Sequence, residues 1–184
     1  MTRIAICAPS TPFAEEDAAR VLALAAEFPG LELHFHPQCF AAHGHFAGPD
    51  ALRIEALVEC ANDPAFDAVW FARGGYGAVR VAEAALARFD HAAQDKLFLG
   101  YSDAGTLLGG LYRARIGHPV HAPMPGDIRR AGGEDAVRRT LGYLAGERGG
   151  LEPSLDAHPA VAFILMPLAT LCGTPLMPGL AGHV

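Results

Sequence analysis

Positive charge is scarce in this chain: Lys and Arg total 14 against 20 for Asp and Glu, a formal charge of −6. A phosphate backbone is held by a basic field, so nucleic acid is not an expected partner. Charge of either sign is thin, at 18% of residues against 51% hydrophobic, and disorder requires the reverse balance. The chain therefore folds. Long apolar runs are also missing: a bilayer span takes about 20 residues, and the longest candidate, residues 161–172, is broken by Pro167. The opening MTRIAICAPS has one early Arg but no extended apolar stretch of the secretory kind. These absences lead to the expectation of a cytoplasmic protein without a membrane partner. Cysteine is sparse and scattered, at Cys7, Cys39, Cys60 and Cys172 with no CxxC pair. Small buried hydrophobes in a reducing compartment are expected there, not a zinc site or a disulfide framework.

The 184 residues make one domain of about 150 with a remainder. Short runs at residues 3–8, 31–35, 68–72, 97–101 and 119–122 read as strands, and most are apolar throughout. Continuous apolarity suits strands buried on both faces of a parallel sheet. Between them, residues 14–28 place Ala18, Val21, Leu22, Ala25 and Phe28 on one helical face ended by Pro29-Gly30, and residues 50–61 repeat the period with Ile54, Leu57, Val58 and Ala61. The βαβα alternation predicts an α/β fold, a three-layer sandwich around a mostly parallel sheet, over residues 1–125. Residues 126–160 read as a linker carrying a further helix at 134–144. Residues 161–184 read as the start of a second domain, too short to bury a core of its own.

Chemistry concentrates in two loops. In KLFLGYSDAGTLLGGLY a predicted strand meets Ser102 and Asp103 and a helical pattern follows at once. Such a corner pushes a serine hydroxyl out above the sheet and points the next N–H, that of Asp103, at a developing oxyanion. The competing role is a simple helix cap by Ser102 or Asp103. The second loop, Arg73-Gly74-Gly75-Tyr76-Gly77, follows the strand AVWFA and belongs to the same carboxyl edge, where open α/β sheets bind ligands. Its glycines allow close backbone approach, and one can supply a second oxyanion donor. A phosphate turn is the alternative, although the GxGxxG and Walker spacings are absent, and plain tight-turn glycines are another. His34, His36, His43 and His45 cluster, with His43 and His45 spaced like ligands on one strand face, but no companion carboxylate or Cys pattern supports a metal. His118 and His121 are candidate general bases if the fold returns one of them to Ser102.

Taken in order, IAICAPS, HGHFAGPDALR, RGGYGAVR, GYSD, HAPM and CGTPLMPGLAG resemble the LD-carboxypeptidase family of serine peptidases, from residue 4 to the end of the chain. The resemblance implies a nucleophilic Ser102, with oxyanion donors from the backbone of Asp103 and of the Gly74-Gly75 turn. Arg73, set to neutralise a terminal carboxylate, and Tyr76 beside it become substrate-binding candidates. It further implies a Glu and a His from a C-terminal domain beyond GTPLMPGLAGHV, so the 184 residues are expected to represent an enzyme truncated in that domain. The implied reaction releases terminal D-Ala from cytoplasmic murein tetrapeptides, with no metal or organic cofactor, and a homodimer is compatible with the family. Ile164 stands where the family usually has Asn, and a buried Asn lost there would remove hydrogen bonds. Two alternatives remain: a microcin-immunity peptidase cleaving a peptide–nucleotide amide, and a non-catalytic α/β binding domain.

Overall fold

The computed structural model describes residues 1–155 and 158–184. Five strands, β1 (Thr2–Cys7), β2 (Leu31–Phe35), β3 (Ala68–Phe71), β4 (Leu97–Gly100) and β5 (His118–His121), form one sheet in the order β2-β1-β3-β4-β5. Every neighbouring pair is parallel. Each observed strand lies within about a residue of its expected span. Because side chains alternate along a strand, Ile4, Ile6, Ala68, Trp70 and Leu99 enter one core, while Ala5, Cys7, Val69, Phe71 and Phe98 enter the other. The inner strands β1, β3 and β4 need apolar residues on both faces, which is why their sequences read as unbroken hydrophobic runs.

Helices cover the two faces. On the first lie α1 (Glu15–Ala25) and, later in the chain, α5 (Gly133–Leu144); on the second lie α2 (Asp50–Asn62), α3 (Ala78–Leu86), α4 (Gly105–Ala114) and α6 (Leu165–Leu171). In α1 the buried stripe is Ala18, Val21, Leu24 and Ala25, and Leu22 turns outward with 45% of its surface exposed. The helix also stops at Ala25, and Phe28 belongs to the tight turn that follows. Helix α5, expected within a linker, instead buries Val137, Leu141 and Leu144 in the first core and packs on α1. The segment after residue 160 also docks on the sandwich: Leu171 and Leu176 enter the second core against Gly109 and Gly110 of α4. Residues 156 and 157 of the expected linker lie outside the described residues.

Ile164 is 42% exposed and precedes α6 without a side-chain cap. The expected loss of a buried hydrogen-bonding Asn therefore does not apply. What the Ile forgoes is a favourable N-cap. Cys7, Cys39 and Cys60 are buried, but Cys172 is exposed.

With β1 flanked by β2 on one side and β3 on the other, the chain reverses its winding between β1 and β3. Ligands in doubly wound sheets bind outside the carboxyl ends of the strands at this reversal. The loops leaving β1, β3 and β4 meet there.

Candidate active site

Ser102 is held in the left-handed region at φ +59°. Strand β4 ends at Gly100, Tyr101 is fully extended, and a 3-10 turn over Ser102–Ala104 leads into α4. A Cβ on Gly100 would come within 3.0 Å of Phe71 and 3.1 Å of Ala104, so the sharp corner depends on a residue without a side chain. For an L-residue the left-handed backbone costs about 1–2 kcal/mol. Such strain survives only where the surroundings fix it, and it concentrates at functional sites. Gly74 faces the hydroxyl: a Cβ there would lie 2.8 Å from Ser102 Oγ and 3.6 Å from the Asp103 nitrogen. Its absence lets the loop backbone approach Oγ this closely. Among the described residues, the N–H groups of Gly74 and Gly75 donate to no protein acceptor.

Neither Ser102 nor Asp103 caps α4 through its side chain. The buried Asp103 carboxylate reaches across to the start of α3, where Oδ2 accepts from the Gly77 N–H at 2.8 Å and the Ala78 N–H at 2.9 Å, and it also accepts from the Ser10 hydroxyl. Two of the unpaired donors that begin a helix are thereby satisfied by a residue from a different element. Thr11 donates to the Gly74 carbonyl at 2.6 Å. Gly75, at φ +148°, would place a Cβ 2.6 Å from Thr11 Cγ2, and Gly77 would place one 2.5 Å from the Arg53 guanidinium. Arg53 is fully buried, donating to the carbonyls of Pro9 and Gly77, pairing with Asp50 and lying over the Phe46 ring. It pins the β1 loop to the glycine loop.

Arg73 lies half-buried at the rim and donates to the Pro12 carbonyl at 3.2 Å; among the described residues it has no carboxylate partner. Burial first, then Arg129 and Arg130, push its pKa below the ordinary guanidinium range, although guanidinium groups stay charged. A carboxylate arriving there would find free donors in fork geometry. Tyr76 is 68% exposed, its ring 6.0 Å from that of His45. On the other side, Tyr101 donates to Asp127 at 2.6 Å and accepts from Arg130 at 2.7 Å. A cleft of about 1180 Å³ opens beside them along β5 and α5.

A family model described as the LD-carboxypeptidase N-terminal domain matches residues 4–122, well over half of the chain. The chain belongs to the LD-carboxypeptidase family. It is 36% identical over 186 residues to a Streptomyces coelicolor protein provisionally named as a carboxypeptidase, covering 99% of this chain and 54% of that one. Over 122 residues it is 29% identical to the murein tetrapeptide carboxypeptidase of Pseudomonas aeruginosa, covering 66% of this chain and 39% of that protein. The chain thus spans about half the length of the first of these relatives. Among solved structures, the microcin C7 self-immunity protein MccF with aspartyl sulfamoyl adenosine has a TM-score of 0.75 at 17% identity, covering 99% of this chain and 66% of that one. The muramoyltetrapeptide carboxypeptidase of Oxalobacter formigenes has 0.69 at 22%, covering 97% and 62%. The α/β architecture with its five-stranded parallel sheet is the fold of the matched part of these proteins.

In this LD-carboxypeptidase chain the loops carrying Ser102, Asp103, Gly74 and Gly75 converge as expected from their place at one sheet edge. The histidines do not join them. His118 begins β5, at the opposite edge of the sheet from Ser102. His121 ends β5 on the near edge and packs edge-on against Tyr101 at 5.9 Å. Among the described residues, no imidazole or carboxylate hydrogen-bonds Ser102 Oγ. His34 pairs with Glu32 and His36 with Glu59. His43 and His45 sit in a tight turn closed by the His43–Phe46 bridge, not on a strand face. Among the described residues, no group of three or more His, Cys, Asp or Glu is arranged to hold a metal. Ser10, Thr11 and Arg53 were not singled out as functional by sequence reasoning; the polar Ser10-Thr11 pair just past a strand at the ligand edge was the available signal.

Proposed function

We propose that this chain carries the nucleophile of a serine-type carboxypeptidase acting on the L,D-amide before a terminal D-Ala, as in a murein tetrapeptide. The observation that carries the reading is the strained Ser102 corner with the Gly74 backbone close against its Oγ. Ser102 Oγ attacks the scissile carbonyl, and the oxyanion rests against the N–H of Asp103 and of the Gly74-Gly75 turn. D-Ala leaves as the amine, and water then hydrolyses the acyl–serine ester. Arg73 takes the terminal carboxylate and Tyr76 lines the entrance. A serine hydroxyl needs a base near neutral pH, and the family resemblance assigns that task to a Glu and a His outside residues 1–184. The 29% identity to a murein tetrapeptide carboxypeptidase favours this substrate over the aspartyl sulfamoyl adenosine in complex with MccF, whose 17% identity speaks to fold alone.

The test pairs the intact mass of the natively expressed protein with D-Ala release from an L,D-tetrapeptide, by wild type and by Ser102→Ala. Release that disappears in the variant, from a protein heavier than 19.3 kDa, is the expected result. Ser102-dependent hydrolysis of aspartyl sulfamoyl adenosine alone would move the assignment to the immunity-type reaction. A 19.3 kDa protein without Ser102-dependent release of either product would leave a binding domain.

A further inference from the structure

Two buried hydroxyls at the end of β1 hold the two halves of the Ser102 site. Ser10 and Thr11 lie in the loop where the sheet reverses its winding, and both are buried. The Ser10 hydroxyl donates to Asp103 Oδ2, the carboxylate oxygen that also receives the Gly77 and Ala78 N–H groups. With three donors on one oxygen, the residue directly after Ser102 has little freedom to rotate, and its backbone N–H is fixed with it. The Thr11 hydroxyl donates to the Gly74 carbonyl at 2.6 Å. A trans peptide is planar with its C=O and N–H on opposite sides, and the described chain has no cis peptide bonds. Holding the Gly74 oxygen therefore sets the direction of the Gly75 N–H.

The contact is close enough to determine the residue type opposite. A Cβ on Gly75 would meet Thr11 Cγ2 at 2.6 Å and Ser10 Cβ at 3.2 Å, so the glycine backbone is pressed directly onto this pair. Gly77, whose N–H binds the same Asp103 oxygen, would place a Cβ 2.9 Å from the Ser10 Cα. The pair thus touches the glycine loop through packing and, through hydrogen bonds, holds the Asp103 carboxylate and the carbonyl of the Gly74-Gly75 peptide.

We infer that Ser10 and Thr11 are positioning residues that aim the Asp103 and Gly75 N–H groups at one substrate oxygen. Neither touches the reacting atoms. The inference rests on Ser102 being the nucleophile, and it selects Gly75 over Gly74 as the second donor. Oxyanion stabilisation depends on donors lying about 2.7–3.1 Å from where the charge develops, so a tilt of either peptide weakens the transition state more than the ground state.

The test uses the full natural protein with Ser10→Ala, Thr11→Val, which keeps the methyl packing but loses the hydroxyl, and Thr11→Ser, which keeps the hydroxyl. Two readouts are made: kcat and KM for D-Ala release, and affinity for benzeneboronic acid, whose tetrahedral serine adduct is followed by boron NMR. Thermal unfolding of each variant checks the fold. Expected is a fall of about tenfold in kcat and in boronate affinity for Thr11→Val and Ser10→Ala, with KM steady, and recovery in Thr11→Ser. Wild-type boronate affinity and kcat in both hydroxyl-loss variants would overturn the positioning role and leave the nucleophile in place. So would losses that follow thermal stability and are not restored by Thr11→Ser. A wild-type protein forming no Ser102-dependent adduct would remove the nucleophile reading, and the positioning role with it.

Discussion

Ser102 holds a backbone conformation that its own chemistry disfavours, and that conflict can be measured. Its φ of +59° costs an L-residue about 1–2 kcal/mol, whereas glycine adopts it freely but loses about 0.5–1 kcal/mol more chain entropy on folding. Ser102→Gly is therefore expected to stabilise the fold by roughly 0.5–1 kcal/mol while removing the hydroxyl. For a protein of this size each kcal/mol shifts Tm by about 2–4 °C, so calorimetry should record a rise of one to a few degrees, by order of magnitude. Ser102→Ala, which keeps the Cβ and so keeps the strain, provides the control and should not rise. A lower Tm for Ser102→Gly than for Ser102→Ala would mean that the corner is relaxed. A corner that is more stable as glycine yet carries serine is one that function has held in place.

At the scale of elements, the loops are tied by charged groups that hydropathy does not reveal. Asp50 opens α2 and faces Arg80 of α3 and the buried Arg53, and both guanidiniums lie over the ring of Phe46. The Arg80 hydrogen bond first, with help from Arg53, holds the Asp50 carboxyl below the usual carboxylate range. A carboxyl whose folded pKa is depressed contributes stability that is complete above its unfolded value, near 3.9, and is lost as pH falls through the folded value. Acid titration of the unfolding free energy should accordingly fall less steeply below about pH 4 in Asp50→Asn than in wild type. Parallel curves for the two proteins would show that this carboxyl contributes nothing to acid sensitivity. The strands were legible in the sequence because burial on both faces makes β1, β3 and β4 apolar throughout. Ser102 was legible because a strand abuts a helix at that residue. The tie of the neighbouring Asp103 to Ser10 was not, since those two are 93 positions apart and a lone hydroxyl has no period. Helix α5 was misplaced into a linker because the turn-rich residues before it look like a boundary, while its seat on α1 depends on tertiary packing alone.

At the scale of the whole molecule, the question is whether residues 161–184 unfold with the sandwich or separately from it. Leu171 is fully buried in the same core as Phe71, Phe98 and Leu107, and it approaches α4 where Gly109 leaves room: a Cβ there would lie 3.2 Å from the Leu171 side chain. The single tryptophan, Trp70, is buried in the opposite core, on the far face of the sheet, with its indole N–H on the Pro123 carbonyl at 2.8 Å. Its fluorescence therefore reports on a region that Leu171 does not touch. Leu→Ala at a buried site costs about 2–5 kcal/mol, which corresponds to a Tm shift of several degrees at this size. If the docked segment is part of one cooperative unit, Leu171→Ala lowers the transition seen by Trp70 and by far-UV circular dichroism together and by the same amount, as two-state behaviour requires. A Trp70 transition left at its wild-type temperature, with the dichroism curve alone broadened, would mean that the segment opens independently. The continuity of Leu171 and Leu176 with the α4 face makes the joint shift the expected result, because strain or loss in one close-packed layer is felt across the sheet it covers.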